Sequence, residues 1–249
     1  MELIFIPARM GEKKKNLWQL NGRPLIDYVL TTACTYQQQV GNDKVAIVVS
    51  TDCEEITSRT WQYMNLGYNI MVVDRPENLA GPDAKVEDAI KYYIAIEEPG
   101  LFPVLTLMQP TSPFITVDHV RDSFLALQSY DWNSAQTIIS TPHNYHWVNT
   151  RIRKSSAEVM FKFPEERTSL YNKQRKEHTY AFGNLVSVRT NALLFQDTLW
   201  AWPSRPIEIM RYTALDVDTR GDLATAEAYI QSRLVQPLPS IIERKAVMI

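Results

Sequence analysis

An α/β fold built on a mainly parallel sheet is predicted by three features of the sequence. Short β-rich apolar runs alternate with helical patterns, and strands that take turns with helices imply right-handed βαβ units. The first strands are nearly continuous in apolar residues, as expected where helices cover both faces of a sheet. The chain has 249 residues, of which 45% are apolar and 22% charged, enough to bury one full core and fitting one α/β domain with an insertion better than two equal domains.

In chain order, Leu3–Ile6, Val45–Val49, Asn69–Val73, Val104–Met108 and Ala135–Ser140 read as strands. Leu25–Ala33, Glu54–Asn65, Val86–Ile96 and Val117–Leu127 read as the helices between them, with Pro24 suited to the first helical turn. The stretch from Pro142 to Thr179 is rich in charge, His and aromatics and has no clear period; it reads as an insertion, an arm or hairpin that contacts a second subunit. Asn184–Val188 and Glu208–Met210 restore the strand pattern. A last helix follows Thr219, which forms a capping pair with Asp222, and carries an apolar stripe of Leu223, Ala226, Ile230 and Leu234. Two closely spaced prolines make the tail from Gln236 extended.

Composition removes several functional classes. A formal net charge of -2 gives no global attraction for nucleic acid or anionic membrane, so any basic site is local. The two cysteines, Cys34 and Cys53, have neither metal-binding nor disulfide-framework spacing. The apolar run at the N-terminus halts at Pro7, too short for a signal segment, and no run reaches membrane-spanning length; a cytoplasmic protein is the expectation.

The loop from Pro7 to Asn16 is the first candidate site. It directly follows the first strand, and ligands of open α/β sheets bind beyond the carboxyl ends of strands. Gly11 permits a tight backbone path. Arg9, Lys13, Lys14 and Lys15 form a dense positive cluster, suited to a triphosphate. A lysine run is ordinarily a solvated surface; the strand in front of this one favours phosphate binding. Neither a Walker loop nor a dinucleotide fingerprint is present. Near the other end of the chain, Asp216 and Asp218 lie two apart and so share a face of an extended segment. Two hard oxygen ligands side by side suit Mg²⁺. The competing reading of Asp218 is a capping residue before the Thr219 helix.

Several segments together resemble one family. They are Ile6-Pro-Ala-Arg9 with Lys13 and Lys15-Asn16, Asn21-Gly-Arg-Pro-Leu25, Val49-Ser-Thr-Asp52, Arg75-Pro76 with Leu79-Ala80 and Asp83, Gln109-Pro-Thr-Ser-Pro113, and Leu215-Asp-Val-Asp-Thr219 with Asp222-Leu223. In this order they resemble the acylneuraminate cytidylyltransferases, and more loosely the CMP-Kdo synthetases. The resemblance implies a Rossmann-like three-layer fold with a small dimerisation arm at 142–179, and a homodimer. It implies transfer of CMP from CTP to an acidic 2-keto sugar of sialic-acid type, with release of pyrophosphate. The carried-over nucleotide contacts are Pro7, Ala8, Arg9, Gly11, Lys13, Asn16, Arg75 and Asp83, with Arg9, Lys15 and Asp218 catalytic and Asp216 and Asp218 holding Mg²⁺. Asp52 is expected to be structural.

At the sugar end, Gln109 closes the fourth strand and favours the acylneuraminate side over the Kdo side. Ala181-Phe-Gly-Asn184 stands where the family has Arg-x-Asn-Gly, so the arginine is absent there, and Asn184 is the candidate of this segment for the sugar. Lys173, Gln174 and Arg175 are the candidates to replace it. His143 and His146 either line the sugar pocket or decorate the arm. Lys85 and Val86 lie where relatives carry a small hydroxyl residue, which keeps another nucleoside triphosphate in play. A transferase for another sugar or a sugar phosphate is the rival reading at the other end of the reaction. A catalytically silent relative would lack the Asp216/Asp218 pair, and both are present.

Overall fold

The structure is a computed structural model that describes residues 1–249 apart from 12–13, 82, 99 and 247–249, with only the backbone of 244–246. Strand β1 (Glu2–Pro7) leads through a short hairpin, β2 (Gln19–Leu20) and β3 (Arg23–Pro24), into helix α1 (Leu25–Val40). There follow β4 (Val45–Thr51), α2 (Glu54–Met64), β5 (Ile70–Asp74), α3 (Glu77–Ala80), α4 (Val86–Ile96), β6 (Val104–Met108), α5 (Val117–Ala126) and β7 (Ser134–Ser140). Between β7 and the next strand of the main sheet the chain forms a separate hairpin, β8 (Arg151–Arg153) and β9 (Val159–Phe161), and helix α6 (Pro164–Ser169). The chain then returns through β10 (Tyr180–Arg189), α7 (Thr190–Gln196), β11 (Ser204–Glu208), α8 (Arg220–Gln231) and α9 (Ile241–Ala246).

The described residues form a seven-stranded sheet in the order β11-β7-β10-β6-β1-β4-β5. Pairing is parallel for β1 with β4 and β6, β4 with β5, and β11 with β7, while β10 runs antiparallel to both of its neighbours. The mainly parallel sheet predicted from the sequence is therefore correct. Alternate residues of β1 serve opposite faces, because successive strand side chains point opposite ways. Ile4 and Ile6 meet α1, α2 and α5 on one side, through Val29, Leu30, Ile56, Val120 and Phe124. Leu3 and Phe5 meet α4 and α7 on the other, through Ile90, Tyr93 and Leu193. These are the three layers of a Rossmann-like fold.

Several local expectations are corrected. Pro24 is the residue before α1, with ψ 142, rather than part of its first turn. The strand expected at Glu208–Met210 ends at Glu208 and begins at Ser204, with Pro206 tolerated because β11 is an edge strand. The tail expected to be extended is helical over α9. Ser240 Oγ accepts the Glu243 amide at 3.4 Å there, an N-cap that satisfies a free helical donor. Leu234 lies beyond the end of α8 and is 50% exposed, so the apolar stripe stops short of it.

Helix α5 begins with a reciprocal cap. Thr116 Oγ1 accepts the His119 amide at 3.2 Å, and His119 Nδ1 accepts the Thr116 amide at 3.4 Å. Burial pushes the His119 pKa from 6.5 down to about 4, with Asp118 opposing. Between those values the unfolded chain binds a proton that the folded chain refuses, so stability is lost as pH falls below 6.5. His119→Gln keeps a cap acceptor and removes the titrating group. Urea unfolding is expected to show a flatter pH dependence for this variant between pH 6.5 and 4; an unchanged slope rejects the assignment.

Candidate active site

The site forms where the carboxyl ends of adjacent parallel strands leave the sheet. β1 and β4 end level, Pro7 opposite Ser50, and the loop after β1 is tied to the end of β4. The Ala8 amide donates to Ser50 O at 2.8 Å, Thr51 Oγ1 donates to Ala8 O at 2.7 Å, and the Met10 amide donates to Asp52 Oδ1 at 2.6 Å. Gly11 takes φ +54, a left-handed conformation that glycine adopts without strain. Asn16, only 8% exposed, closes the loop by donating from Nδ2 to Arg9 O at 2.9 Å. Lys14 Nζ pairs with Glu55 at 2.6 Å, which gives it a structural partner on α2.

Within this braced loop the cations are directed. Arg9 Nη1 donates to Gly81 O at 2.6 Å and to Ala80 O at 3.3 Å, across the cleft on the α3 segment. Lys15 Nζ pairs with the carboxylate of Asp218. Thus one loop links both walls of a cleft of about 830 Å³, a size suited to a small-molecule ligand.

The Asp216/Asp218 segment is held by a small core of its own. Val217 between them is fully buried with Leu20, Tyr28, Phe114 and Leu223, and its amide donates to Thr111 O at 2.8 Å. The segment belongs to no strand. Buried Val217 turns both carboxylates outward to the cleft. The cap of α8 is Thr219, whose Oγ1 accepts the Asp222 amide at 3.2 Å while Asp222 Oδ2 accepts the Thr219 amide at 2.8 Å. Asp218 is therefore not the capping side chain, and its carboxylate is left for Lys15 and the cleft. The protein walls around Asp216 displace water and raise its carboxyl pKa; a Thr111 hydrogen bond opposes this, and the nearby Asp218 charge adds to it.

Arg75 follows β5. Its Nε donates to Ser50 Oγ at 3.2 Å, while Nη2 is buried without a partner. Burial lowers its pKa, with Asp52 opposing and Arg9 reinforcing the shift. Gln109 ends β6 and opens a turn closed by the Ser112 amide donating to Gln109 O at 3.0 Å.

The cleft brings together Pro7, Arg9, Gly11, Lys15, Asn16, Arg75, Gln109, Asp216 and Asp218. It also recruits Met10, Pro110, Thr111 and Ala84, which have no assigned role in the sequence, and Val86, which stands where relatives carry a small hydroxyl residue. Ala8 is buried and Asp83 does not line the cleft, whereas Lys13 lies outside the described residues. Lys173, Gln174 and Arg175 form a short exposed turn on the inserted arm, away from the lining of the cleft. Asn184 is placed elsewhere than in the cleft: 2% exposed, it donates from Nδ2 to Thr213 O at 2.7 Å and receives Thr137 Oγ1 at 3.2 Å. Its amide is spent inside the fold. On the arm, His143 Nε2 lies 3.0 Å from Lys176 Nζ, and burial together with Lys176, Lys173 and Arg167 lowers its pKa. His146 is buried, its Nδ1 accepting the Val148 amide at 3.4 Å.

Residues 3–214 match the family model described as cytidylyltransferase. The chain belongs to the cytidylyltransferase family. Membership makes it a nucleotidyltransferase by family, and the matched span contains the loop after β1, Arg75 and Gln109. The Asp216/Asp218 segment lies just beyond it. Two solved structures share the fold of this cytidylyltransferase. A 4-diphosphocytidyl-2C-methyl-D-erythritol synthase from Anaerococcus prevotii is 12% identical, with a TM-score of 0.62 over 92% of this chain and 99% of that one. A CMP:2-keto-3-deoxy-manno-octonic acid synthetase, complexed with CTP, is 14% identical, with a TM-score of 0.63 over 94% of this chain and 100% of that one. Among the described residues, no helix of the cytidylyltransferase is long and apolar enough to cross a membrane.

Proposed function

We propose that the protein transfers CMP from CTP to an acidic 2-keto sugar of acylneuraminate type, with Mg²⁺ as cofactor, and releases pyrophosphate. The observation that carries this reading is the single cleft in which the cations of one loop face a pair of carboxylates. In the proposed reaction the anomeric hydroxyl oxygen attacks the α-phosphorus in line, a new phosphorus–oxygen bond forms as the O–H bond breaks and its proton passes to solvent, and the bond to pyrophosphate breaks. Such transfer depends on positioning and charge neutralisation more than on covalent catalysis.

Arg9 and Lys15, joined by Lys13 of the same stretch of sequence, neutralise the triphosphate. Asn16 and Arg75 orient the nucleoside end, and Gln109 hydrogen-bonds the sugar. Asp216 and Asp218 fit Mg²⁺ by donor chemistry. They are adjacent hard oxygen ligands facing an open cleft, and Mg²⁺ takes one or two carboxylates and completes its shell with phosphate oxygens and water. Among the described residues no group of three or more His, Cys, Asp or Glu is assembled for a metal, so a cation demanding an all-protein cage does not fit. Bound there, Mg²⁺ supplies charge neutralisation and orientation of the phosphates. The sugar carboxylate is assigned to Lys173, Gln174 or Arg175 of the arm, brought to the cleft of a partner chain in a homodimer.

Pyrophosphate release, measured for four nucleoside triphosphates crossed with a panel of ulosonic acids, tests the proposal. Turnover is expected with CTP and a sialic-acid-like sugar. Turnover with a sugar phosphate instead rejects the sugar, and with GTP or UTP alone rejects the base. A direct binding check accompanies it: CTP at a hundredfold excess over Kd is expected to stabilise the protein by about 2.7 kcal/mol in thermal unfolding.

A further inference from the structure

We propose that Asp52 is a positioning residue for the nucleotide: from behind the cleft it sets the course of the phosphate-facing loop and steadies Arg75. This rests on the cytidylyltransferase reading of the cleft. Asp52 is the first residue beyond β4 and does not line the cleft. It lines an adjoining hollow of about 480 Å³ with Asp74, Trp61 and Arg75. Arg75 lines both spaces and forms their shared wall.

Two effects meet at this carboxylate. Its Oδ1 accepts the Met10 amide at 2.6 Å, a charge-assisted contact in the middle of the loop that carries Arg9 and Lys15. Its charge also favours the guanidinium of Arg75, against burial and against repulsion by Arg9. Two arginines facing the same ligand repel each other while the ligand is absent, and Asp52 offsets that repulsion from the side the ligand never touches. The rest of the strand end works in the same direction. Ser50 Oγ accepts Arg75 Nε at 3.2 Å, and Thr51 Oγ1 donates to Ala8 O at 2.7 Å. Gln109 and the Asp216/Asp218 segment are carried by other supports, the end of β6 and the Val217 amide bonded to Thr111 O. Loss of Asp52 therefore acts first on the nucleotide, while the supports of Gln109 and of the Asp216/Asp218 backbone stay in place.

The test compares wild type, Asp52→Ala and Asp52→Asn as full-length enzyme with Mg²⁺ and CTP. Asp52→Ala is expected to raise KM for CTP about tenfold, with kcat within about twofold and KM for the sugar unchanged. Asp52→Asn, whose amide oxygen still accepts from Met10 but carries no charge, is expected to fall between the two. It also serves as the readout should the alanine variant fold poorly. A wild-type KM for CTP in both variants overturns the proposal, as does a loss of kcat and melting temperature at unchanged KM, the pattern of a merely structural residue. If wild type itself fails to bind CTP or another nucleoside triphosphate, the reading of the cleft falls and this role with it. Normal binding by wild type and both variants overturns the role of Asp52 alone.

Discussion

Asp218→Asn is expected to reduce Mg²⁺-dependent pyrophosphate release about 100- to 1,000-fold, the scale of losing one aligned charge-stabilising group at a reacting centre. The substitution preserves the shape of the side chain and removes its charge. It withdraws half of the carboxylate pair and the partner of Lys15. The fold is not expected to suffer, because Asp218 is 62% exposed at its side chain and the cap of α8 belongs to Thr219 and Asp222. The melting temperature without ligand should therefore match wild type. Titration of Mg²⁺ at saturating CTP separates the contributions: weakened metal dependence with retained nucleotide binding supports the assignment. Wild-type turnover by Asp218→Asn removes the carboxylate pair from the proposed chemistry.

Arg59→Ala is expected to destabilise the fold markedly, although the residue lies outside the cleft and is partly exposed. Asp27, in the first turn of α1, is completely buried at its side chain, and Arg59 of α2 donates from Nε to both carboxylate oxygens at 2.9 Å and pairs with Oδ2 through Nη2. Removing the arginine leaves a buried carboxylate without its counter-charge, which costs about 3–5 kcal/mol when water is fully excluded. Arg59 is 26% exposed, so water partly replaces it, and the expected loss is about 2–3 kcal/mol in urea unfolding. For a chain of this size that lowers the melting temperature by roughly 5–10 °C. Replacing both residues by leucine should recover much of the loss, since an apolar pair leaves no buried charge. A change below about 0.5 kcal/mol, the range of ordinary surface substitutions, contradicts this account.

Elements whose signals are local were legible in the sequence. Val86–Ile96 and Val104–Met108 were read with the bounds the structure shows, because apolar periodicity marks a helix or a strand without reference to distant chain. The Thr219–Asp222 cap was legible for the same reason. Other local signals were present and missed. Ser240 precedes Glu243 by three residues, a helix-start pattern, and two prolines drew the reading towards an extended tail. Helix α7 and the β2–β3 hairpin are too short for periodicity to report.

Residue types and order carried the site part of the way. Arg9, Lys15, Asn16, Arg75, Gln109, Asp216 and Asp218 were singled out from sequence and share one cleft. Asn184 was singled out as well, and burial took it into the fold. Composition cannot tell a free amide from one spent on a buried carbonyl, because that depends on which strand lies next to it.

The alternation of strands and helices, the cationic loop after the first strand and the spacing of the two aspartates are properties of neighbouring residues and can be read without the fold. Tertiary structure alone decided which groups face the cleft. Asp52 reaches Met10 across 42 positions of chain because parallel β1 and β4 end at one edge of the sheet, and Lys15 meets Asp218 across 203 because the Val217 amide is bonded to Thr111 O beyond the end of β6. Val217 turns its two neighbours outward only because a small core exists to bury it. The chemistry of each side chain is local; its partner is chosen by the packing of elements far apart in sequence.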